Sequence, residues 1–252
     1  MMTNSVIELL MNHRSIRAFE DKPVPAEIVE TILRCAQMAP TSSYLQAYSI
    51  IEVTDPAKRE VLKAASGGQR WVTEAPLALL FCADLHRLER FLPIKDKNVL
   101  HNDELFTVAV TDVALAAQKL LIAAQSFGLG GVVVGGVRND MEAMAKAFDL
   151  PPMVFPMFVL PLGYPAKELP QRPRLPLEFI TAKDKYPEIE DLEKFNAYDE
   201  QVSKYFEGIS NGEDCFGWVS RCNHALEMKP RYAVGEFLHE SGFLTKSEPY
   251  AE

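Results

Sequence analysis

The segment from Asn102 to Phe127 is the longest predicted element of the chain, and it sets the strictest limit on the fold. Apolar and small residues cover most faces of a helix over this range, so the pattern predicts a helix buried almost all round. Its many alanines suit close packing against another helix, either in the same chain or in a second subunit. Thr111, Asp112 and Lys119 interrupt the apolar run, which therefore predicts a core helix and no membrane span.

Shorter strands and helices surround this segment. The ranges 48–53, 77–83, 132–134 and 154–162 have the apolar or β-branched character of strands, and 77–83 is apolar throughout, as in a buried central strand. Helical spacing is found at 4–12, 28–35 and 56–66 and again along the tail from about 186. Because helices are in excess and the order is not regular βαβ alternation, the sequence predicts an α+β fold. We expect a single domain over residues 1–252, with a helical excursion at about 186–252.

Charge and cysteine usage exclude several classes of protein. The formal charge of −9 argues against a nucleic-acid or membrane-surface partner, because such proteins carry a basic surface. The four cysteines form no C-x-x-C motif, the five histidines have no metal-ligand spacing, and the first residues do not resemble a signal peptide. We therefore predict a cytoplasmic protein that holds no metal.

Two polar clusters are candidate binding segments. His13, Arg14, Ser15 and Arg17 offer an imidazole, two guanidiniums and a hydroxyl within five residues, which suits a phosphate. The alternative is a solvated helix end, where cations are favoured in any case. The second cluster, 41–46, offers hydroxyls and an amide without charge, which suits a heteroaromatic ring edge or a polyol chain; a plain loop is the alternative.

The glycine-rich range 128–136 does not fit a dinucleotide-binding fingerprint, because its first glycines follow a helix and precede a strand. Gly135 and Gly136 could let the backbone approach a flat ligand closely, although a simple turn would also explain them. Arg172 and Arg174 lie among prolines that restrict the chain, so they could form a phosphate clamp or a surface loop. Arg138 and Arg231 are further candidate cations.

Motifs for the common hydrolytic chemistries are missing from the sequence. It contains no G-x-S-x-G nucleophile motif and no P-loop signature, and its carboxylate pairs are ordinary for an acidic protein.

Taken together and in order, six motifs resemble the FMN-dependent nitroreductase and flavin reductase family. They are H-R-S-I-R near residue 15, A-P-T-S-S-Y-L-Q-A-Y-S-I-I, G-G-Q near residue 68, F-C-A-D, G-L-G-G-V-V-V-G-G-V-R-N and R-P-R-L-P. The likeness covers about residues 5–245 and is greatest to the oxygen-insensitive NAD(P)H nitroreductase and NAD(P)H:FMN oxidoreductase branch. It implies a mainly antiparallel sheet wrapped by helices and an intertwined homodimer with FMN at its interface.

The resemblance also assigns residues to the cofactor and to the substrates. The implied FMN contacts are His13, Arg14, Ser15, Arg17, Ser42, Ser43, Gln46, Gln69, Val134, Gly135, Gly136, Arg172 and Arg174, with the segment at 42–46 coming from the partner subunit. The implied contacts to NAD(P)H or substrate are Ser43, Tyr44, Arg138 and Arg231. No side chain is assigned a catalytic role, because the flavin performs the hydride transfer.

The resemblance implies ping-pong transfer of hydride from NADH or NADPH to FMN, then to nitroaromatics, quinones or free flavin. A dedicated FMN reductase, a flavin-binding protein without turnover and a flavin-free dehydrogenase remain alternatives, the last disfavoured by the glycine order. Several relatives carry cations in the loop that corresponds to 208–214, where this chain has Glu213 and Asp214. Carboxylates repel the 2′-phosphate of NADPH, so we predict a weakened NADPH preference and workable use of NADH.

Overall fold

The structure, a computed structural model, describes residues 2–188, 190–228 and 230–244. Its described residues form two compact units, one made of 2–169 with 231–244 and the other made of 170–230. The larger unit contains the whole sheet. The prediction of a single domain with a helical excursion stays a prediction.

A four-stranded antiparallel sheet forms the centre of the larger unit. Its strands are β1 (Tyr48–Glu52), β2 (Leu77–Asp84), β3 (Gly130–Gly131) and β4 (Val154–Gly163), in the spatial order β1-β2-β4-β3. Every residue of β2 is buried, because the strand is paired on both edges and covered on both faces by the two apolar clusters of the core. The predicted α+β fold and the buried central strand are confirmed.

Helices surround the sheet. In the larger unit they are α1 (Ser5–Met11), α2 (Ala26–Gln37), α3 (Pro56–Ala65), α4 (Trp71–Glu74), α5 (His86–Phe91), α6 (Asp103–Ser126), α7 (Met141–Ala147) and α10 (Ala233–Glu240). The smaller unit contains α8 (Leu192–Ile209) and α9 (Trp218–Met228).

Polar residues before the helices determine where several of them begin. The Asn4 side chain accepts hydrogen bonds from two backbone N–H groups of α1, and Asp55, Asn102 and Asp140 cap α3, α6 and α7 in the same way. At the other end of α3, Gly67 has a φ of +76°, which suits glycine and stops the helix.

The long helix α6 differs from its prediction on one face. It packs against α2 and β2 through fully buried residues such as Ala109, Val113 and Leu120. Thr107, Thr111, Ala114, Leu115 and Gln118 are exposed, so burial all round is wrong for the single chain. By length and composition α6 could cross a membrane, but its buried side chains belong to the hydrophobic core of the unit.

The strand predicted at 132–134 is shifted. The ladder with β4 is formed by Gly130 and Gly131, and Val134 makes only an isolated bridge to Val159. A Cβ at Gly131 would lie 2.6 Å from the carbonyl oxygen of Pro161, so only glycine allows this close pairing. The β-branched residues that suggested a strand instead follow the ladder.

Candidate functional site

The segment 13–17 runs beside β3. Ser15 forms a parallel bridge with Gly131, and the Ile16 N–H donates to the Gly131 carbonyl at 3.0 Å. Ile16 is buried, whereas its neighbours Ser15 and Arg17 are half-buried. The apolar residue thus anchors the segment, and the polar residues on either side of it keep access to solvent.

Hydrogen bonds and a cation–π contact hold the two arginine side chains of this segment. Arg14 Nε donates to the Leu169 carbonyl at 2.8 Å, and Nη1 of the same guanidinium lies 3.2 Å from the His13 carbonyl. The Arg17 guanidinium lies 5.7 Å from the centre of the Trp71 ring, within the range of a cation–π contact. These contacts orient both guanidiniums before any anion binds.

The structure brings Gln69 and Gly136 together. Gln69 Nε2 donates to the Ser66 carbonyl at 2.8 Å, and a Cβ added at Gly136 would lie 3.0 Å from the same nitrogen. That Cβ would also lie 2.8 Å from the Ser66 Cα, which cannot move away as a flexible side chain could. Gly136 is therefore packed against Ser66 more closely than any residue with a Cβ could be.

Val134 and Gly135 complete this stretch of backbone. Val134 is buried and exchanges two hydrogen bonds with Val159, at 2.9 and 3.1 Å. Gly135 begins a 3₁₀ turn, and its bare Cα faces the guanidinium of Arg138, whose Nη2 would lie 2.9 Å from an added Cβ. Gly136 is only five positions after Gly131. A short piece of chain therefore links Gly131, which pairs with the 13–17 segment, to Gly136, which lies beside Gln69.

Two further arginines lie close to each other, and one of them, Arg138, is beside Gly135. Arg138 donates to the Met157 carbonyl, and Arg231 Nε donates to Asn139 Oδ1 at 2.7 Å. Burial lowers the pKa of the Arg138 guanidinium from its usual value, and the nearby charge of Arg231 lowers the pKa further. Because two cations repel each other here, an anion bound between them would be favoured.

Segment 41–47 is attached to a different part of α6 from the 13–17 segment. Asp112 accepts hydrogen bonds from this loop, whereas His13 Nδ1 lies 2.9 Å from Nε2 of Gln125, thirteen residues further along the helix. At 1.5 Å per residue the two attachment points are roughly 20 Å apart. Within one chain, Ser42, Ser43 and Gln46 are therefore distant from the segment with which they are predicted to share a flavin. Tyr44 is exposed on this loop.

A cleft beside Gln46 does not coincide with the glycines. It lies between α2 and β1 and is lined by residues that include Arg34, Tyr48 and Arg87. The Arg34 guanidinium is paired with Glu30, and that of Arg87 is hydrogen-bonded to Asp84 and Ser49. Its cations are therefore already engaged within the protein.

The smaller unit contains Arg172 and Arg174. The Arg172 guanidinium lies 5.2 Å from the centre of the Phe206 ring, and Arg174 is close enough to Tyr198 for its charge to oppose the rise in the pKa of that phenol that burial causes. Their predicted role at the FMN phosphate stays a prediction, as do the other assignments to FMN and NAD(P)H.

The negative charge of the loop 208–214 is partly neutralised by a residue outside the loop. Arg221, on α9, forms an ion pair with Asp214, and this hydrogen bond lowers the pKa of the Asp214 carboxyl. The charge of the loop residues alone leaves out a cation that the following helix supplies. Spacing could have indicated it, because Arg221 is on the first turn of that helix.

Across the described ranges 2–188, 190–228 and 230–244, no group of three or more His, Cys, Asp or Glu side chains is placed to hold a metal ion. The fold is α+β, and its candidate site combines the cationic segment 13–17 with the glycines at 135–136 and with Arg138.

The chain belongs to the nitroreductase family. Residues 10–164 match the nitroreductase family model, and residues 172–246 match the model of the nitroreductase family C-terminal domain. The resemblance found in the sequence is confirmed.

Curated relatives and a solved structure extend this result. The chain is 38% identical over 245 residues to a protein named FMN reductase (NADPH) from Bacillus subtilis, covering 95% of this chain and 98% of that protein. It is 38% identical over 242 residues to oxygen-insensitive NADPH nitroreductase from Salmonella typhimurium, with coverage of 95% and 98%. The solved structure of the NfrA1 nitroreductase from B. subtilis matches with a TM-score of 0.90 at 37% identity, covering 94% of this chain and 98% of that one.

Proposed function

We propose that this protein is an FMN-dependent NAD(P)H oxidoreductase that passes hydride from a reduced nicotinamide to an acceptor such as a nitroaromatic, a quinone or free flavin. One observation carries the proposal: the cationic segment 13–17, Gln69 and the glycines at 135–136 are joined along one short stretch of the larger unit. The names of the two curated relatives, an FMN reductase and a nitroreductase, point to the same chemistry.

The residues present fit FMN in their chemistry. Arg14 and Arg17 would hold the phosphate, because a guanidinium donates in a fork that matches phosphate oxygens. Ser15 and His13 would add a hydroxyl and an imidazole, and Arg172 and Arg174 further cations. Val134, Gly135 and Gly136 would present backbone against the ring system, and the two glycines carry no side chain that would keep a flat group away from that backbone.

Bound FMN would supply the hydride chemistry itself, so no side chain needs to act as an acid, base or nucleophile. The chain's own residues bind and orient the reactants. Arg138 and Arg231 would hold an anionic group of the nicotinamide nucleotide, and Ser43 and Tyr44 would border the acceptor. One site used in turn by donor and acceptor gives ping-pong kinetics.

The protein works as a homodimer in this proposal, and we place it in the cytoplasm. The loop with Ser42, Ser43 and Gln46 is attached to α6 roughly 20 Å from the point where the 13–17 segment contacts the same helix. A second copy of the chain would therefore bring these three residues to the flavin. Val6, Leu10, Leu115 and Phe127 leave apolar surface exposed on α1 and at α6, which such a partner would cover.

We expect the substitution Leu115→Arg to convert the dimer into monomers that have lost tight FMN binding, because it places a charge on the exposed face of α6 that the partner would cover. Light scattering after gel filtration would measure the mass, and flavin absorbance would measure the FMN retained. Val99→Arg, at another exposed apolar side chain, is the control and should leave both unchanged. A Leu115→Arg dimer with full FMN content would contradict this choice of interface.

Steady-state kinetics test the proposed activity and separate it from its alternatives. Parallel double-reciprocal lines with several acceptors would support a broad oxidoreductase, whereas turnover with free flavin alone would indicate a dedicated FMN reductase. A yellow protein that oxidises neither NADH nor NADPH with any acceptor would indicate a flavin-binding role without turnover and would overturn the proposal.

Nucleotide preference gives a further prediction. Asp214 is paired with Arg221, which leaves exposed Glu213 as the unpaired carboxylate of the loop 208–214 among the described residues. Glu213→Lys should raise kcat/KM for NADPH relative to NADH by roughly 3- to 10-fold, the range expected from a change of charge near a 2′-phosphate. Glu207→Lys, on α8, is the control. A wild-type kcat/KM for NADPH more than about tenfold above that for NADH would contradict the predicted use of NADH.

A further inference from the structure

Asp112 is a buried carboxylate in the middle of α6, and its hydrogen bonds all go to the loop at 41–47. Its side chain accepts from Thr41 Oγ1 at 2.5 Å, from the Ala47 N–H at 3.0 Å and from the Ser42 N–H at 3.3 Å. The residue is 1% exposed, so it does not itself face a ligand. A carboxylate buried in this way is favourable only while its donors stay in place.

The loop that Asp112 holds has an unusual backbone. Ser43, Tyr44 and Gln46 have φ values of 48°, 61° and 51°, in the left-handed region that residues other than glycine rarely occupy. Such a conformation persists only when surrounding contacts impose it. Thr41 extends the restraint, because its Oγ1 also accepts from the Gln46 N–H at 2.8 Å.

The hydrogen bonds of Asp112 therefore bracket the strained residues. Thr41 and Ser42 are held on one side and Ala47 on the other, so Ser43, Tyr44 and Gln46 lie in a loop whose two ends are fixed to one carboxylate. Ser43 and Tyr44 are exposed, and so they present their polar groups outwards in a fixed arrangement.

We propose that Asp112 is a positioning residue for the cofactor: by closing the loop 41–47, it presets Ser42, Ser43 and Gln46 to bind FMN. This inference rests on the proposed function. It assigns the residue no direct contact with the flavin, and its effect on affinity comes from loop order that exists before FMN arrives.

The substitution Asp112→Ala would leave the Ser42 and Ala47 N–H groups and the Thr41 hydroxyl without their acceptor. We expect the dissociation constant of FMN to rise by roughly 10-fold or more. Asp112→Asn keeps one acceptor oxygen and should give an intermediate affinity, and Thr41→Val should also weaken binding. The control is Leu79→Val, a fully buried apolar change on β2 that removes no hydrogen-bonding group.

The test titrates each apoprotein with FMN, following flavin fluorescence, and records the melting temperature with and without FMN. A positioning role predicts that the FMN-dependent gain in melting temperature shrinks in the order Leu79→Val, Asp112→Asn, Asp112→Ala. If Asp112→Ala does not fold, Asp112→Asn and Thr41→Val alone test the proposal, because both should show a smaller FMN-dependent gain in melting temperature than Leu79→Val.

Each outcome separates the two proposals. Wild-type protein that binds no FMN would overturn the proposed function. Wild-type protein that binds FMN, with Asp112→Asn and Thr41→Val variants of lower melting temperature but unchanged FMN affinity, would assign Asp112 a purely structural role and overturn only this inference.

Discussion

The substitution Gly136→Val is expected to remove most FMN binding and, with it, nearly all turnover. An added Cβ would lie 2.8 Å from both Cα and Cβ of Ser66 and 3.0 Å from Nε2 of Gln69, so the new side chain must displace Ser66, which follows α3, or enter the space proposed for the ring. Overpacking of this kind costs about 1–3 kcal/mol, and the affinity for FMN should fall by roughly 10- to 100-fold or more.

Equilibrium titration with FMN measures this loss, and circular dichroism shows whether the variant has folded. Gly136→Ala should also lower the affinity for FMN, but by a smaller factor. Gly208→Ala is the matched control, because nothing lies within 4 Å of a Cβ at that position. Normal FMN affinity in a folded Gly136→Val variant would mean that the flavin does not lie against this stretch of backbone.

The second large effect is expected for Arg17→Ala. Charge-assisted hydrogen bonds contribute about 1.5–3 kcal/mol, so loss of this guanidinium should weaken FMN binding by roughly 10- to 100-fold. Riboflavin has no phosphate, and its weaker binding should change little. Arg17→Lys should recover only part of the affinity, because an ammonium lacks the planar fork that stacks near Trp71.

A comparison of FMN with riboflavin on each variant is the decisive measurement, because it isolates the phosphate. Arg70→Ala is the control: this nearby guanidinium is exposed and lies 3.7 Å from Glu74 on the same helix. Equal losses for FMN and riboflavin in Arg17→Ala would indicate a general disturbance of the segment and would contradict a phosphate contact.

The fold could be predicted well where a segment's own residues determine its structure. β2 is apolar from Leu77 to Ala83 and is buried at every position, and α3 begins at Asp55-Pro56 and ends before Gly67, as turn and cap chemistry require. The family itself could be identified from short motifs, because six of them occur in order along the chain.

Long-range contacts could not be predicted in the same way. The strand at Gly130–Gly131 depends on the close approach of β4, which outweighs the strand propensity of the valines that follow. Asp112 was identified only as an interruption of an apolar run, because its three donors come from about 65 to 71 residues earlier in the chain. Arg221 was missed because the loop's charge was counted without the helix that follows it.

The candidate site was partly visible in the sequence. Local clusters such as 13–17 and the glycines at 135–136 are contiguous, so their chemistry could be read directly. Only the resemblance linked Gln69 to the glycines, because Gln69 and Gly136 are 67 positions apart in the chain.

The central claim is that this protein binds FMN and takes hydride from a nicotinamide nucleotide. The most direct test records the visible spectrum of the purified protein without oxygen, before and after addition of NADH or NADPH in separate experiments. We predict a yellow protein whose flavin absorbance is bleached by at least one nucleotide. A colourless protein that takes up no added FMN would contradict the account, as would a yellow one that neither nucleotide bleaches.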